Sequence, residues 1–370
     1  MIFVMIAREL RVKIGGGRDY PILIGSSLQG ELARVARGIS PACRLFIVAG
    51  RRVADLHLAK WKKPLARTGI RVQTSIIPDG ERYKTLATYR RLMGELAGGG
   101  DERDTVIAAL GGGVVGDIAG FAAATYRRGV PYIQIPTTLL ALVDSSVGGK
   151  TGVDLPQGKN LAGAFHQPAA VIADLDFLET LPAREFRAGY AEVIKYGAAL
   201  DEAFFRFLER NHDRIFELDE ESLARVVGRC CELKARIVAR DERDTAGLRA
   251  LLNFGHTFAH AFEAAGGYRR YRHGEAVAVG MLCAAELSVA AGPLKASDVE
   301  RLEDLVARAG LPRAARGLDA REIESRMKHD KKFRAGRTRF VLLEKIGAAY
   351  LKSGIRYPDV RPVIRGRLAP

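Results

Sequence analysis

The chain has 370 residues, which is longer than one ordinary hydrophobic core accommodates, so we expect two domains. Hydrophobic residues make up 48% of the sequence and charged residues 27%, a balance that excludes an intrinsically disordered protein. The 58 lysines and arginines exceed the 43 acidic residues by 15, a surplus that suits either a nucleic acid or a small anionic substrate.

The cysteines and the apolar runs indicate the compartment. Cys43, Cys230, Cys231 and Cys283 show no C-x-x-C spacing, so neither a disulfide framework nor a Cys-ligated zinc finger is predicted. No uninterrupted apolar run reaches the roughly 18–20 residues that span a bilayer. The opening MIFVMIA lacks a basic n-region and is interpreted as the start of an edge strand. We therefore expect a cytoplasmic protein without a membrane partner.

Strands and helices alternate in the first half of the chain. Apolar, β-branched runs at 46–50, 72–78, 105–113 and 132–138 predict buried strands, and the segments between them have helical spacing. This alternation predicts a Rossmann-like α/β domain with a mostly parallel sheet. Ligands of such sheets bind beyond the carboxyl ends of the strands.

The periodicity changes to 3.6 residues near residue 184. We predict a boundary between an α/β domain at 1–182 and an all-α domain at 183–370, with a late strand pair around 337–347. The predicted helices of the second domain span 184–199, 201–216, 219–239, 246–266, 273–291, 297–309 and 319–328.

Three glycine-bearing segments follow predicted strands. Gly111–Asp117 lies between a strand and a helix, where glycines and free N–H groups suit a pyrophosphate. It departs from G-x-G-x-x-G, so a tight strand–helix turn is the alternative. The segments 78–84 and 136–152 follow other strands of the same sheet. Their convergence on one edge favours a dinucleotide site.

Three of the seven histidines, His256, His260 and His273, fall close together in the sequence. His256 and His260 share one helix face, but the Glu that follows the first His in zinc peptidases is absent. Two His and one carboxylate form a common open metal site. Glu192, flanked by Ala, Val and Ile, is the candidate carboxylate, with a simple ion pair as the alternative.

Several cationic residues accompany these groups, although most Lys and Arg side chains of any protein are solvated surface. Lys150 lies between glycines, and Arg249 is predicted to share a helix with His256. Arg and Lys together bind phosphate and carboxylate groups. The remaining candidates are Lys159, Lys195, Lys234 and the run 328–332.

Several sequence blocks occur in order along the chain: DGERYK (79–84), GGGVVGD (111–117), YRRGV (126–130), QIPTTLLALVDSSVGGKTGV (134–153), GKN (158–160), EVIKYG (192–197), LLNFGHTFAHA (251–261) and HGEAVAVGM (273–281). With these blocks the chain resembles the 3-dehydroquinate synthase family from about residue 8 to residue 350. The resemblance implies a Rossmann-like domain, a helical domain, tightly held NAD, one divalent metal (Zn²⁺, with Co²⁺ as an alternative) and a homodimer.

By this resemblance the metal ligands are Glu192, His256 and His273, and His260 faces the substrate. Arg128 would reach the substrate phosphate across a dimer interface. The residues implied in catalysis are Lys150, Lys195, Lys234, Asp244, Arg249, Asn253 and His260, and those implied in substrate binding are Arg128, Asp144, Asn160 and Lys331. The residues implied in NAD binding are Asp79, Gly80, Glu81, Lys84, Gly112, Gly113, Val114, Val115, Gly116, Asp117, Thr137, Thr138, Lys150, Lys159, Phe177, Leu178, Glu179 and Thr180.

Two departures from the family pattern stand out. The Asp or Asn expected after the strand FIVAG is replaced by Gly50-Arg51-Arg52, which weakens one NAD contact and raises NADP as an alternative. The family's D-E-R-E is Asp241-Glu242-Arg243-Asp244 here, with one extra residue before Gly247. The carboxylate expected to assist proton transfer is therefore the shorter Asp244.

The resemblance implies conversion of 3-deoxy-D-arabino-heptulosonate 7-phosphate to 3-dehydroquinate and phosphate, in the shikimate pathway to aromatic amino acids. Other sugar-phosphate cyclases, such as 2-deoxy-scyllo-inosose synthase or a sedoheptulose 7-phosphate cyclase, are the nearest alternatives. A glycerol-type dehydrogenase is a more distant one. The basic composition alone leaves a nucleic-acid-binding protein open, but no recognition motif supports it, so we predict no nucleic-acid partner.

Overall fold

A computed structural model describes residues 5–41, 43–99, 104–329 and 338–369. Lys331, one of the predicted substrate contacts, lies outside these ranges. The chain folds into two compact units. The first comprises residues through Leu181 together with Leu218–Arg243, and the second comprises Pro182–Glu217 together with the residues from Asp244 onward.

The strands form where β-branched and aliphatic residues cluster, as their fit to a pleated, buried surface predicts. In chain order they are β1 (Met5–Val12), β2 (Tyr20–Ser26), β3 (Arg44–Gly50), β4 (Arg71–Ile77), β5 (Thr105–Gly111), β6 (Tyr132–Pro136), β7 (Lys150–Leu155), β8 (Gly158–Phe165), β9 (Ala170–Asp174), β10 (Ala315–Arg316), β11 (Thr338–Lys345), β12 (Ala348–Ile355) and β13 (Leu368–Ala369).

The helices between them are mostly α-helical, with short 3₁₀ and π turns. The α-helices are α1 (Gln29–Ile39), α2 (Arg51–Val53), α3 (Ala59–Lys62), α4 (Leu86–Gly98), α5 (Gly113–Thr125), α6 (Ala183–Leu200), α7 (Glu202–Phe216), α8 (Glu220–Arg240), α9 (His256–Ala265), α10 (His273–Ala291), α11 (Ala296–Arg308), α12 (Ala320–His329) and α13 (Tyr357–Gly366). The 3₁₀ turns span Leu65–Arg67, Glu81–Tyr83, Tyr126–Arg128, Leu175–Thr180 and Leu248–Asn253, and the π turns span Ala54–Leu58 and Ala141–Ser145.

The first unit is built on a seven-stranded sheet in the order β1-β2-β9-β6-β5-β3-β4. Six strands run parallel to one another: β2, β9, β6, β5, β3 and β4. Strand β1 pairs antiparallel with β2 at one edge. The predictions of a mostly parallel sheet and of an opening edge strand are therefore confirmed. Strands β7 and β8 form a separate antiparallel hairpin.

Both faces of this sheet are buried, as parallel sheets require. Successive residues of β3 point to opposite faces: Leu45 and Ile47 enter one core cluster, and Phe46 and Val48 enter another. This two-sided burial explains why the central strands read as continuous apolar runs rather than as alternating ones.

Helix α8 belongs to the first unit, although the predicted domain boundary places it in the second. It packs against β1, β2 and the π turn Ala141–Ser145. Its helical periodicity is visible in the sequence, but periodicity does not state which neighbour the apolar face covers. That choice depends on contacts distant along the chain.

The second unit is predominantly helical, as predicted. The late strand pair is present as the antiparallel hairpin β11–β12, and a short parallel pair, β10–β13, is added. Helix α10 is long and apolar enough to cross a membrane by composition, with Glu275 and Glu286 interrupting the run. Because 72% of its most apolar window is buried inside the protein, it is typical of a core helix.

The predicted helix 246–266 is wrong as a single element. The structure divides it into the 3₁₀ turn Leu248–Asn253 and helix α9, separated by Phe254 and Gly255. Gly255 has φ +81°, a left-handed conformation that an α-helix cannot continue through. Arg249 therefore does not lie on the helix that carries His256.

A buried carboxyl group at the end of β9 makes a prediction about stability and pH. Asp174 accepts hydrogen bonds from the backbone N–H of Leu28 (2.8 Å) and of Asp176 (3.0 Å). Burial, and then the neighbouring Asp176, raise the pKa of Asp174 from 3.8 to about 6. The folded protein thus retains a proton between about pH 4 and pH 6 that the unfolded chain has released, so this group destabilises the fold as pH rises.

We predict that Asp174→Asn removes this pH dependence. Between pH 4 and pH 7 the wild-type protein should lose about 2 kcal/mol of unfolding free energy relative to the variant, at about 1.4 kcal/mol per pKa unit. Denaturant titrations at several pH values measure the difference. Asp55→Asn, on an exposed side chain, is the control. Parallel stability curves for wild type and Asp174→Asn would contradict the prediction.

Candidate metal centre and nucleotide site

The predicted nucleotide segments lie together at one edge of the first unit's sheet. They follow the carboxyl ends of β4, β5, β6 and β9. From β3 the chain continues to β4 at one edge of the sheet, whereas from β5 it continues through β6 and β9 toward the other edge. The order of strands across the sheet therefore switches between β3 and β5. Open α/β sheets bind ligands at such a switch point. The glycine-rich segment after β5 borders it.

The glycine-rich segment serves both packing and access. A Cβ on Gly116 would lie 2.8 Å from Gln134, and a Cβ on Gly120 would lie 2.4 Å from Thr151, so α5 packs too closely for larger residues. Among the described residues, no side chain caps the N-terminus of α5, and its first turn contains no acidic residue. Its N–H groups and positive dipole end therefore remain suited to a phosphate group.

Asp79 occupies the space beside Gly50, where the family's acidic residue is missing. Its Oδ2 accepts a hydrogen bond from the Arg52 N–H at 3.0 Å, and its Oδ1 lies 3.0 Å from where a Cβ on Gly50 would stand. A carboxylate from the end of β4 is thus held at the end of β3.

Lys84 connects three segments of the predicted site. It is 4% exposed, and its Nζ donates hydrogen bonds to the carboxylate of Asp117 and to Oδ1 of Asn160. Burial alone would lower the pKa of Lys84, but the surrounding carboxylates, Asp117 foremost, together outweigh burial and raise it. Lys159 pairs with Glu81 at 3.5 Å on the same side. The structure therefore brings together residues that the sequence assigned separately to NAD and to substrate.

Other predicted NAD residues differ in what they can offer. Phe177 and Leu178 are buried, and Phe177 stacks on Trp61 with a centroid distance of 5.5 Å, so only their backbone can face a ligand. Glu179 and Thr180 are exposed, and Thr180 Oγ1 lies 2.8 Å from Nε2 of His57. Val115 is likewise a core residue.

Two predicted substrate groups of the first unit form a pair. Lys234 on α8 donates to Asp144 Oδ1 at 2.7 Å and to the Asp144 carbonyl oxygen at 2.8 Å. Lys150 is exposed at the start of β7. Arg128 is exposed and has φ +68°, directly after Arg127 at φ +50°. Two successive non-glycine residues in the left-handed region of backbone conformation mark a strained turn.

The second unit contains a compact cluster of metal-ligating side chains. One ligand atom from each of Glu192, His256 and His273 lies within 4.8 Å of the others. Glu192 is fully buried, and its Oε1 is 3.6 Å from Nε2 of His256 and 3.4 Å from Nε2 of His273. Two imidazoles and one carboxylate match an open divalent-metal site. These donors therefore fit Zn²⁺ or Co²⁺.

Glycines bring the three helices of this cluster together. A Cβ on Gly274 would lie 1.9 Å from the carbonyl oxygen of Ala188, where α10 meets α6. A Cβ on Gly280 would lie 2.3 Å from the carbonyl oxygen of Gly255, where α10 meets the start of α9. Each metal-ligand candidate lies beside one of these contacts or one turn away from it.

The Nδ1 atom of each of the two imidazoles, on the side away from Glu192, faces a hydrogen-bond acceptor. Nδ1 of His256 lies 3.4 Å from the carbonyl oxygen of Phe254, and Nδ1 of His273 lies 3.3 Å from Oε1 of Glu263. An Nδ1–H that donates outward leaves the Nε2 lone pair of each ring for a metal. Both Nε2 atoms point to the Glu192 carboxylate.

The electrostatics of the cluster favour a cation. Burial, and then Lys195, hold the pKa of His256 well below its usual range, which favours the neutral, metal-binding ring. Burial would also lower the pKa of His273, but Glu192 and Glu263 together raise it to about 10. The two carboxylates thus stabilise positive charge at His273, whether it comes from a proton or from a divalent cation.

The remaining predicted residues of the second unit surround this cluster unequally. Lys195, one turn after Glu192 on α6, is 2% exposed and pairs with the Glu192 carboxylate. His260 is exposed, and its ring centroid is 5.6 Å from that of His256, so it lies outside the ligand trio. Arg249 is buried, whereas Asp244 is exposed with φ +56°. Asn253, at the end of its 3₁₀ turn, is half-buried.

Glu263 is the residue that the sequence analysis missed. Its carboxylate is buried against His273, the third member of the trio. The available signal is its position on α9, three residues after His260 and seven after His256, on the same helix face. A Glu at that spacing does not by itself indicate which side chain of another helix it meets.

Two family descriptions match consecutive parts of the chain. The N-terminal region of 3-dehydroquinate synthase matches residues 74–188, and its C-terminal region matches residues 189–333. The chain belongs to the 3-dehydroquinate synthase-like family of sugar-phosphate cyclases. Membership of this family accounts for the blocks that carry the sequence resemblance.

Solved structures of two other cyclases are similar over nearly their whole length. The 2-epi-5-epi-valiolone synthase from Streptomyces hygroscopicus subsp. jinggangensis 5008, with NAD⁺ and Zn²⁺ bound, is 28% identical, with a TM-score of 0.86 over 96% of this chain and 99% of that one. A 2-deoxy-scyllo-inosose synthase complexed with carbaglucose-6-phosphate, NAD⁺ and Co²⁺ is 26% identical, with a TM-score of 0.86 over 98% and 100%.

A glycerol dehydrogenase from Schizosaccharomyces pombe shares the fold alone. It is 17% identical, with a TM-score of 0.67 over 93% of this chain and 88% of that one. The fold is thus common to cyclases and dehydrogenases, and the chemistry must be argued from the residues of the sites.

We predict that Gly274→Ala damages both the fold and the metal centre. The new methyl group would overlap a backbone oxygen of α6, which cannot rotate away, so α10 must shift at the residue next to His273. Overpacking of this kind costs about 1–3 kcal/mol, and we expect weaker zinc binding as well. Denaturant unfolding and zinc titration measure the two effects.

Gly94→Ala is the matched control for this substitution. Gly94 lies inside α4, and nothing stands within 4 Å of an added Cβ. Alanine there should stabilise the protein by about 0.5–1 kcal/mol because it is the better helix former. Equal effects of the two substitutions would contradict the role assigned to the α6–α10 contact.

Proposed function

We propose that the protein is a 3-dehydroquinate synthase that converts 3-deoxy-D-arabino-heptulosonate 7-phosphate to 3-dehydroquinate and phosphate. The observation that carries the proposal is the Glu192–His256–His273 cluster, held by glycine contacts in a chain of this family. Oxidation, elimination of phosphate, reduction back, ring opening and intramolecular aldol closure make up the expected sequence of steps.

The proposed cofactors are NAD and one divalent metal, Zn²⁺ or Co²⁺. Both similar cyclases carry NAD⁺, one with Zn²⁺ and the other with Co²⁺, and the donor set of this chain fits either metal. When bound, the metal supplies Lewis acidity toward a substrate oxygen, and NAD accepts and later returns a hydride, so that no net oxidation results. Glu192, His256 and His273 would hold the metal.

The first unit would bind the nucleotide through its sheet edge. The uncapped N-terminus of α5 offers N–H donors to the pyrophosphate, and the Lys84–Asp117–Asn160 cluster keeps the neighbouring segments in place. Asp79 presents an acceptor beside Gly50. A carboxylate in that position suits ribose hydroxyls better than the additional phosphate of NADP.

The cationic residues would position the substrate's phosphate and carboxylate. Lys150 and Arg128 are exposed and can reach a ligand, whereas Lys195, Lys234 and Arg249 are buried in place. In the expected sequence of steps, oxidation to a ketone makes the neighbouring C–H of the substrate more acidic. Holding the substrate's phosphate beside that C–H lets a phosphate oxygen take the proton. Such positioning can contribute roughly 7–11 kcal/mol in well-oriented reactions.

The substrate's carboxylate is what separates this proposal from related cyclases. Arg249, Asn253 and His260 match the dehydroquinate pattern, and Arg249 supplies a buried guanidinium on a turn near α9. A guanidinium can bind a carboxylate in bidentate geometry, which would suit Arg249 to the substrate's carboxylate. The second candidate function is a related cyclase of the valiolone or inosose type, which the similarity to the two solved cyclases favours.

Phosphate release from three sugar phosphates tests the proposal. We expect release from 3-deoxy-D-arabino-heptulosonate 7-phosphate, and little from sedoheptulose 7-phosphate or glucose 6-phosphate. Absorbance at 340 nm should stay flat because NADH does not accumulate, and a chelator should stop the reaction. Preferred turnover of another sugar phosphate would assign the chain to a different cyclase, and steady NADH formation would indicate a dehydrogenase.

We predict that His256→Ala abolishes metal binding and turnover but leaves a folded protein. His256 is the first residue of α9 and contributes one of three ligands, so its loss leaves too few donors for tight binding. Metal content after dialysis, circular dichroism and phosphate release measure the outcome. Wild-type metal content in this variant would reject the ligand assignment.

The homodimer, the cytoplasmic location, the place in the shikimate pathway and the lack of a nucleic-acid partner stay predictions. The substrate-binding roles of Arg128, Asp144, Asn160 and Lys331 stay predictions as well, and Lys331 lies outside the described ranges.

A further inference from the structure

Glu263 contacts a proposed metal ligand from outside the metal centre. It lies on the last turns of α9, is 8% exposed, and its Oε1 is 3.3 Å from Nδ1 of His273. We propose that Glu263 is a positioning residue that orients His273 toward the metal and increases the basicity of that ligand. This inference rests on the metal centre of the proposed function.

The geometry places the His273 ring between two carboxylates. Its Nε2 lies 3.4 Å from Glu192 and its Nδ1 lies 3.3 Å from Glu263. An imidazole that donates Nδ1–H to an acceptor keeps its Nε2 lone pair directed away from that acceptor. Glu263 therefore selects the tautomer and the rotation that present Nε2 to the metal.

The two histidines of the centre differ in the acceptor that holds them. Nδ1 of His256 faces the neutral backbone carbonyl of Phe254, whereas Nδ1 of His273 faces a carboxylate. A hydrogen bond to a charged acceptor is the stronger one, and it makes the ring a better electron donor to a metal. His273 is thus expected to be the more strongly bound of the two imidazoles.

A purely structural role is the alternative, in which Glu263 only joins α9 to α10. The two helices, however, already meet at Gly255 and Gly280, where an added Cβ would overlap backbone atoms. Gly280 lies two turns along α10 from His273. Because the helix crossing is determined there, a buried carboxylate is not needed to set it, and its desolvation has to be offset by a specific partner.

Zinc affinity in the absence of NAD and substrate tests the proposal. Glu263→Ala and Glu263→Gln are compared with wild type by competition with a chromogenic chelator, together with the visible spectrum of the Co²⁺-loaded proteins. Thermal unfolding of the metal-free proteins reports folding. Glu263→Gln keeps the shape and a neutral acceptor, so it remains informative if the alanine variant fails to fold.

Glu275→Gln is the matched control. Glu275 also lies at the start of α10, two residues after His273, but its carboxylate pairs with Arg184 at 2.6 and 2.8 Å and accepts the Arg272 N–H at 2.9 Å, a bond that a glutamine oxygen can keep. Removing this charge perturbs the same helix end and leaves the His273–Glu263 contact in place. We expect wild-type zinc affinity and an unchanged cobalt spectrum.

For Glu263→Ala we expect zinc affinity to fall about 10–100-fold, the usual cost of losing an outer partner of a ligating histidine. The glutamine variant should lose less, and both cobalt spectra should change.

Wild-type affinity and spectrum in Glu263→Ala, or an equal loss in Glu275→Gln, would overturn the inference. A wild-type protein that binds no zinc would overturn the metal centre itself. Glu263-dependent zinc binding without phosphate release would leave this inference standing and reject only the proposed reaction.

Discussion

The close approach of helix backbones at glycine is the constraint on which the metal centre depends. Gly274 lets α10 touch α6 at Ala188, and Gly255 lets the start of α9 touch α10 at Gly280. Glu192, His256 and His273 come from three separate helices. Their ligand atoms can share one small volume only because no side chain separates those helices. The preference of the site for a cation then follows from one fully buried carboxylate and a second one behind His273.

A different constraint organises the first unit. In a parallel sheet the carboxyl ends of the strands lie at one edge. The strand order switches between β3 and β5, and open sheets of this kind bind ligands in the crevice beyond such a switch point. Gly116 and Gly120 of α5 are required for packing against Gln134 and Thr151, whereas the start of the helix at Gly113 carries no side-chain cap among the described residues. The tight-turn and phosphate-binding interpretations of this segment are therefore compatible.

The elements of the fold were largely predictable, because they depend on local patterns. Periodicity of apolar residues located most helices of the second unit to within a few residues, although α13 was not predicted, and β-branched runs located the central strands. The prediction failed at 246–266, where a single left-handed glycine interrupts an otherwise helical pattern. The predicted boundary also placed α8 in the helical domain, whereas α8 groups with the first unit, since an apolar helix face does not specify which surface it covers. Glu263 was missed for the same reason: its partner, His273, lies on another helix.

The residue pattern alone identifies the chemical groups available: a buried-looking Glu, clustered histidines, glycines after strands and a surplus of cationic side chains. The family blocks then indicated which of them act together. The folded chain adds that both Nε2 atoms face Glu192, that Lys195 is paired with that carboxylate, and that Lys84 joins Asp117 to Asn160. Apart from the Lys195–Glu192 pair, which lies within one turn of α6, these are contacts between residues far apart in the chain. Their geometry depends on how closely backbones approach, which no local pattern of residues encodes.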